Sequence, residues 1–333
     1  MKHHIHAKDD QNSQKILICQ CCRGKDDMFN FYSSHILLIR LVEDQQKLDC
    51  PSNCKPLAVE IFCCCDGLVL FQVSNRLDRH LLLWNPSTRE SILVPHPESA
   101  LDDCVCGLGY EATSDDYKIL TINLNASFCD NVWIEILVLK SGSWRRIGKY
   151  PTGVHRVRGF RDCGTDDLPF VHGAFHWLGM LRYPTIISQY HTIISFNISN
   201  EVYGEIPLLE RMLNRFRMQF IEHGVSVLRG MLCFYSTYSD TWEGTFKLWV
   251  MKDYGIKESW TKLITIQEAN LFHSARPKHM FADGEVLMCC KSSGRLSSVF
   301  RTSGGPFGFW PQRTTAKQGI VYTESLISPK LLS

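Results

Sequence analysis

The feature that most constrains this chain is an internal repeat with a period of about 55 residues. Four segments share one plan: an apolar strand, a polar turn, then a second strand with a bulky residue near its start. They are LLLWNPSTRESILVP, EILVLKSGSWRRI, IISFNISNEVYGEIP and KLWVMKDYGIKESWTKL. Aligned on Trp84, Leu137, Phe196 and Trp249, they lie 53, 59 and 53 residues apart. Seven residues beyond the first three anchors stand Ser91, Trp144 and Tyr203, of which Ser91 breaks the bulky pattern; in the fourth segment the turn is longer and Trp260 lies eleven on. A second series interleaves with the first. Gly67, Gly173, Gly230 and Gly284 each precede an apolar strand, at separations of 106, 57 and 54, and in the repeat skipped by the first interval the strand is Tyr117–Leu120 without a leading glycine.

Each period therefore supplies two hairpins' worth of strand, the content of one propeller blade. A twisted four-stranded sheet cannot bury both of its faces alone. Stacking such sheets around an axis covers the faces and leaves only short edges. The reading is all-β: a β-propeller of about six four-stranded blades, with degenerate terminal repeats whose strands share a blade and close the ring. Short runs bounded by Gly, Asn, Asp, Ser and Pro recur along the chain, among them His35–Val42, Gly67–Gln72, Trp133–Leu139 and Glu285–Lys291. The best stretch of helical period, Leu208–Phe220, fits either one surface helix or an irregular strand pair. No low-complexity linker divides the 333 residues, so the organisation expected is a polar tail over 1–14 and one domain over 15–333.

With 44% hydrophobic and 11% aromatic residues the chain is too apolar for disorder. A net charge of +2 gives no global field toward nucleic acid or anionic lipid, so neither nucleic acid nor membrane is expected as a partner. The first fifteen residues lack an apolar core of the secretory type and no apolar run is long enough for a helical membrane span, which predicts a cytoplasmic or nuclear location. Fifteen cysteines, several adjacent, then read as reduced thiols packed as small hydrophobes.

The candidate chemistries are thin. Cys19 with Cys22 and Cys50 with Cys54 have zinc-like spacings, but a thiolate site needs two such pairs to converge. His172 and His176 are four apart, yet Gly173 and Trp177 mark a strand entry, where His172, Ala174 and His176 share a face. The tail histidines His3, His4 and His6 carry no defined geometry. Asp115 and Asp116 precede a strand, where turn capping is the default role for Asp. No catalytic, metal or cofactor residue is predicted. Two loops carry recognition-type side chains: Gly153–Asp167, with Arg156, Arg158 and Arg161, and Ser236–Gly244, with Tyr238 and Trp242. Arg, Tyr and Trp on loops over a rigid scaffold suit protein recognition; the alternative is ordinary solvated loop.

At this point a family resemblance enters. CCCDGLVLF followed by LLLWNPSTRESILVP resembles the opening of plant F-box-associated domains, with Asp66 where an Asn is usual, a change that still suits a type I′ hairpin. GLGYEATSDDYKIL, VHGAFHWLG, IISFNISNEVYGEIPL, LWVMKDYGIKESWTKLITI and YTESLISP resemble further family stretches in family order, over residues 15 to 330. The resemblance implies a kelch-like propeller that binds a protein substrate for a cullin-RING (SCF-type) ubiquitin ligase. It implies no enzyme activity of its own. Nothing before Ile16 resembles the helical F-box, so this chain is expected to lack it, and a Skp-type adaptor and cullin are expected as partners only if an F-box lies upstream. The rival is a galactose-oxidase-like propeller enzyme or a sugar-binding propeller, which needs convergent His, Tyr and Cys metal ligands in a central pocket. A third reading is a fragment that folds poorly without its partner module.

Overall fold

The computed structural model describes residues 13–22, 28–36, 46–51, 56–75, 78–98, 104–123, 134–147, 154–155, 168–182, 189–212, 219–240, 243–268, 274–292, 295–302 and 315–332. Among these, strands dominate and the only helical pieces are single 3-10 turns. The strands are β1 (Gln14–Cys22), β2 (Met28–His35), β3 (Gln46–Leu48), β4 (Ala58–Cys65), β5 (Leu68–Ser74), β6 (Arg79–Asn85), β7 (Glu90–Val94), β8 (Cys104–Glu111), β9 (Asp116–Asn123), β10 (Ile134–Val138), β11 (Ser143–Arg146), β12 (Val154–His155), β13 (Phe170–Val171), β14 (Ala174–Arg182), β15 (Gln189–Asn197), β16 (Tyr203–Pro207), β17 (Gln219–Leu228), β18 (Met231–Asp240), β19 (Glu243–Met251), β20 (Trp260–Glu268), β21 (Ser274–Met280), β22 (Val286–Ser292), β23 (Arg295–Arg301) and β24 (Thr315–Thr323).

They form six antiparallel sheets. Blades two, three and five are plain four-stranded meanders, β4 to β7, β8 to β11 and β17 to β20. In blade four the innermost position is divided between β12 and β13, which both pair with β14 ahead of β15 and β16. Blade six shows β21 to β23. Blade one has the order β24-β1-β2-β3, so its innermost strand comes from the C-terminal end of the chain. Neighbouring contacts run from β24 to β4, β4 to β8, β8 to β13 and β14, β14 to β17, β17 to β21, and β21 back to β24. The ring is closed, and the terminal strands close it as the repeat pattern predicts.

The chemistry of closure is explicit. Lys15 pairs with Glu324 at 2.6 Å, the Glu324 amide donates to the Ser13 carbonyl at 2.8 Å, and the Ser33 and Tyr322 hydroxyls share a buried hydrogen bond at 2.8 Å. The Gln318 side chain accepts from the Ile61 amide at 2.6 Å, tying the first blade to the second.

Six apolar clusters fill the six gaps between blades. Strand alternation explains how one strand serves two of them. On β5, Val69, Phe71 and Val73 face the first blade, where Phe31, Phe71 and Trp84 meet edge to face at centroid distances of 5.4 to 6.0 Å. Leu68 and Leu70 face the third blade, against Leu108, Tyr117 and Ile119. Each such side chain contributes about 1.5–3 kcal/mol by leaving water. The four repeat anchors occupy one position, the third strand of blades two to five, and all are buried. Their cross-strand partners are Ser91, Trp144 and Tyr203, as the seven-residue interval predicts. In blade five a register shift after Leu248 places Lys262 opposite Trp249, and Trp260 faces Met251 instead.

The glycine series marks the hairpin between first and second strands. Asp66-Gly67, His172-Gly173 and Arg229-Gly230 have positive φ at both residues, the geometry of a type I′ turn. Gly67 is doubly required, because a Cβ there would lie 2.5 Å from Ser325 Oγ and 2.6 Å from the Thr323 carbonyl. The outer rim has its own latch: the indole of Trp144 donates to the Pro95 carbonyl at 2.7 Å, and that of Trp260 to the Pro207 carbonyl at 3.2 Å, each reaching back one blade.

The strand expected over His35–Val42 is described only at its first two residues: His35 ends β2 (Met28–His35), Ile36 lies in a 3-10 turn, and residues 37–42 lie outside the described residues. Of Leu208–Phe220, the structure describes a 3-10 turn, Glu210–Met212, after β16, with Leu208 and Met212 in the core, and Gln219 and Phe220 at the start of β17; residues 213–218 lie outside the described residues. The suggested tail lies mostly outside the description, over residues 1–12.

Asn85 is the keystone of the second blade. It is fully buried, and its amide donates to the carbonyls of Ser325 and Ile327 at 3.0 and 2.8 Å, while its oxygen accepts from the Ser87 amide at 2.8 Å. Asn85→Leu removes the donors and strands two carbonyls, so the expected loss is about 2–4 kcal/mol, read as a lower midpoint in urea unfolding with unchanged slope. Asn197, the same position two repeats later, makes only the local turn bonds to Ser199 and Asn200, so Asn197→Leu is expected to cost less.

His176 ties blade four to blade five. Its ring is fully buried, and Nε2 meets the Tyr254 hydroxyl at 2.7 Å. Burial drives its pKa down from 6.5 to about 4. The folded protein keeps the ring neutral, whereas the unfolded chain protonates it near pH 6.5. Its contribution to stability is therefore complete above pH 6.5 and is lost as pH falls from there toward 4, on the order of 3 kcal/mol in all. Unfolding free energy measured between pH 7 and 4 is expected to fall less steeply in His176→Gln than in the native sequence.

Candidate functional site

The innermost strands meet around a cavity of about 280 Å³ on the ring axis. All six blades contribute: Val321 from β24, Cys63 to Cys65 from β4, Leu108 from β8, Phe170 from β13, His223 to Val227 from β17, and Arg276 to Lys278 from β21. The innermost strand of each blade has a sheet neighbour on only one side, so its other edge faces the axis. That placement accounts for Pro277, whose missing N–H is tolerated on a free edge.

These strands are irregular. The pairing skips one residue at Phe62 on β4, Ile221 on β17, Lys278 on β21 and Lys317 on β24. Such bulges bend a strand and re-aim a side chain, and here one of them puts Lys278 on the cavity wall. The wall is apolar at Leu108, Leu168, Phe170 and Trp177 and polar at His176, His223, Ser226, Arg276 and Lys278, with neither Asp nor Glu among the described lining residues. His176 stays neutral at physiological pH for the reason given above. The arrangement suits binding of a polar or anionic group.

The residues singled out from sequence fall as follows. Arg156, Arg158, Arg161 and Trp242 lie outside the described residues. Their neighbours locate them in the chain path. In the sequence the three arginines stand between β12 and β13. Trp242 belongs to the connection between β18 and β19, after the last pair Asp240–Glu243. The loop placement of Tyr238 is corrected. It sits on β18, opposite Phe220 and Thr245, 7% exposed, with the Lys247 ammonium 4.9 Å above its ring. The polar run STYSD reads as loop, but Thr and Tyr pair well across strands, and β18 and β19 continue to Asp240 and Glu243.

The other candidates are structural. Cys19 is buried in the cluster between blades one and two, and Cys50 packs against that cluster; Cys54 lies outside the described residues. His172 stacks at 4.4 Å on Tyr254, beside His176, so that histidine pair is engaged by an aromatic ring. Asp116 accepts from the amides of Tyr117 and Lys140 at 2.7 and 3.2 Å, and Asp115 accepts from the Tyr110 hydroxyl, which is capping work. The nearby Glu111 is also structural: burial alone would raise its carboxyl, but hydrogen bonds from Lys118, at 2.7 Å, and Ser114 hold it below the usual carboxylate range. Lys118 also donates to the Ile198 carbonyl at 2.9 Å in blade four. Among the described residues no group of three or more His, Cys, Asp or Glu is arranged to hold a metal ion.

Sequence reasoning missed the cavity residues His223, Arg276 and Lys278. A signal was available: each lies six to eight residues before a hairpin glycine, Gly230 or Gly284, which is the innermost-strand position of the repeat.

The comparisons with known proteins agree with this architecture. The chain matches the model of the F-box associated beta propeller domain over residues 26–305. It is 28% identical over 232 residues to F-box protein CPR1 of Arabidopsis thaliana, covering 63% of this chain and 52% of that protein. It is 26% identical over 282 residues to the Arabidopsis thaliana F-box/kelch-repeat protein At3g23880, covering 80% and 68%. The match thus spans about half the length of the first of these relatives. Among solved structures, TolB from Acinetobacter baumannii shares the fold at a TM-score of 0.50 and 12% identity, covering 94% of this chain and 66% of that one. A closed six-bladed ring and a family match across most of its length lead to one conclusion: the chain belongs to the F-box associated beta propeller family.

Proposed function

We propose that this chain is a protein-interaction module, the substrate-binding part of a receptor of the SCF-type ubiquitin ligases. Family membership carries the reading, since propellers as a fold serve enzymes and binding proteins alike. On this reading the transfer chemistry belongs to other subunits and the propeller is not itself an enzyme. A Skp-type adaptor and a cullin join only where an F-box accompanies the propeller, and the site of action is the cytoplasm or nucleus.

The topology favours one face for the protein ligand. β14 and β18 are both second strands and both leave type I′ hairpins, so their far ends point to the same side of the ring. The β18–β19 connection with Trp242 leaves from that side, and β12, just before the arginine segment, pairs with the same end of β14. The side with the hairpins and both chain ends is occupied by short turns and by the segment following β24. We therefore assign Arg156, Arg158, Arg161 and Trp242 to the contact surface. Tyr238, buried on its strand, supports that surface from beneath.

The test is affinity purification from plant extract with mass spectrometry, comparing the native chain with a variant carrying Arg156→Ala, Arg158→Ala, Arg161→Ala and Trp242→Ala. A protein retained by the native chain is expected to drop at least tenfold with the variant while its thermal unfolding midpoint stays unchanged, as truncating several hot-spot side chains implies. Equal recovery with both chains would refute the assignment of this face.

A further inference from the structure

We propose that the axial cavity is a binding site for a small anionic group, a carboxylate or a phosphate, held between Arg276 and Lys278 on β21 and His223 and Ser226 on β17. This inference does not depend on the receptor role.

Four observations carry it. The cavity, at about 280 Å³, is close to the lower end of the range of small-ligand pockets. Among the described lining residues two side chains are cationic and none is a carboxylate. Arg276 is 4% exposed, so its guanidinium acts where water screens little and where a fork of donors matches a planar or tetrahedral anion. The strand that presents both cations is shaped for it, because the extra residue in β21 is Lys278 itself and the residue between them, Pro277, leaves the free edge without a competing donor. β17 and β21 are adjacent around the ring, so the imidazole and hydroxyl come from the neighbouring wall. Apolar side chains, among them Leu108, Leu168, Phe170 and Trp177, also line it, which suits the carbon skeleton of a small organic acid.

One ligand chemistry has two possible sources here, a free small molecule or an acidic or phosphorylated side chain that a protein ligand inserts along the axis. The experiment separates them. Thermal unfolding of the full chain is followed during titration with citrate, with inorganic phosphate, and with a short polyglutamate peptide, each against potassium chloride at matched ionic strength. A saturable rise in midpoint with citrate or phosphate identifies a free anion; a rise with the peptide alone identifies an inserted side chain. Lys278→Gln is expected to weaken the response roughly tenfold, and Arg276→Gln to abolish it, as loss of a charge-assisted bond and of a buried fork imply. Arg145→Gln, on the outer rim, is expected to leave it intact. If Arg276→Gln does not fold, Lys278→Gln decides. No response beyond that of potassium chloride in the native chain, or an equal response in Lys278→Gln, overturns the proposal.

Discussion

The structure depends on apolar contact between facing blades. A single blade of this chain is a four-stranded sheet whose alternating residues are apolar on both sides, as β5 shows with Leu68 and Leu70 on one side and Val69, Phe71 and Val73 on the other. Alone, such a sheet would expose one of its two apolar faces whatever it packed against. Only a closed ring gives every face a partner, and six interblade clusters are the result. Ring closure is therefore a condition of burial, and that is why the polar bonds concentrate where the chain ends meet: Lys15 with Glu324, Ser33 with Tyr322, and Asn85 with the segment that follows β24.

The same requirement shapes the axis. Inner strands must converge without clashing, and their regular pairing breaks at Phe62, Ile221, Lys278 and Lys317. What remains between them is a cavity lined by free strand edges and by whatever side chains the bulges turn inward. In this chain those side chains are cationic and polar on the side of blades five and six and apolar on the side of blades three and four. A scaffold feature and a candidate site thus share one origin. At the rim the constraint is different: Trp144 and Trp260 hold the carbonyls of Pro95 and Pro207 one blade back, a hydrogen bond between outer strands that lie too far from the axis to be held by inner-strand contact.

Much of the site is local chemistry turned to structural ends. His176, Asp115, Asp116 and Glu111 belong to residue types that often carry catalysis, and each is engaged in holding one segment against another.

Local sequence was enough for the repeat, the strand content, the tight turn at Asp66-Gly67 and the alignment of Trp84, Leu137, Phe196 and Trp249, because those depend on period-two burial and on backbone geometry within a few residues. Tertiary structure alone decided the rest. Which strand faces the axis depends on the order of pairing in a sheet, so His223, Arg276 and Lys278 become neighbours only after β17 and β21 are placed side by side. Tyr238 reads as loop from its polar neighbours and is a strand residue because β19 lies alongside to pair with it. Trp260 stands opposite Met251, and Lys262 opposite Trp249, because pairing across the longer turn is set by where β20 comes alongside β19 and not by the spacing of the two tryptophans.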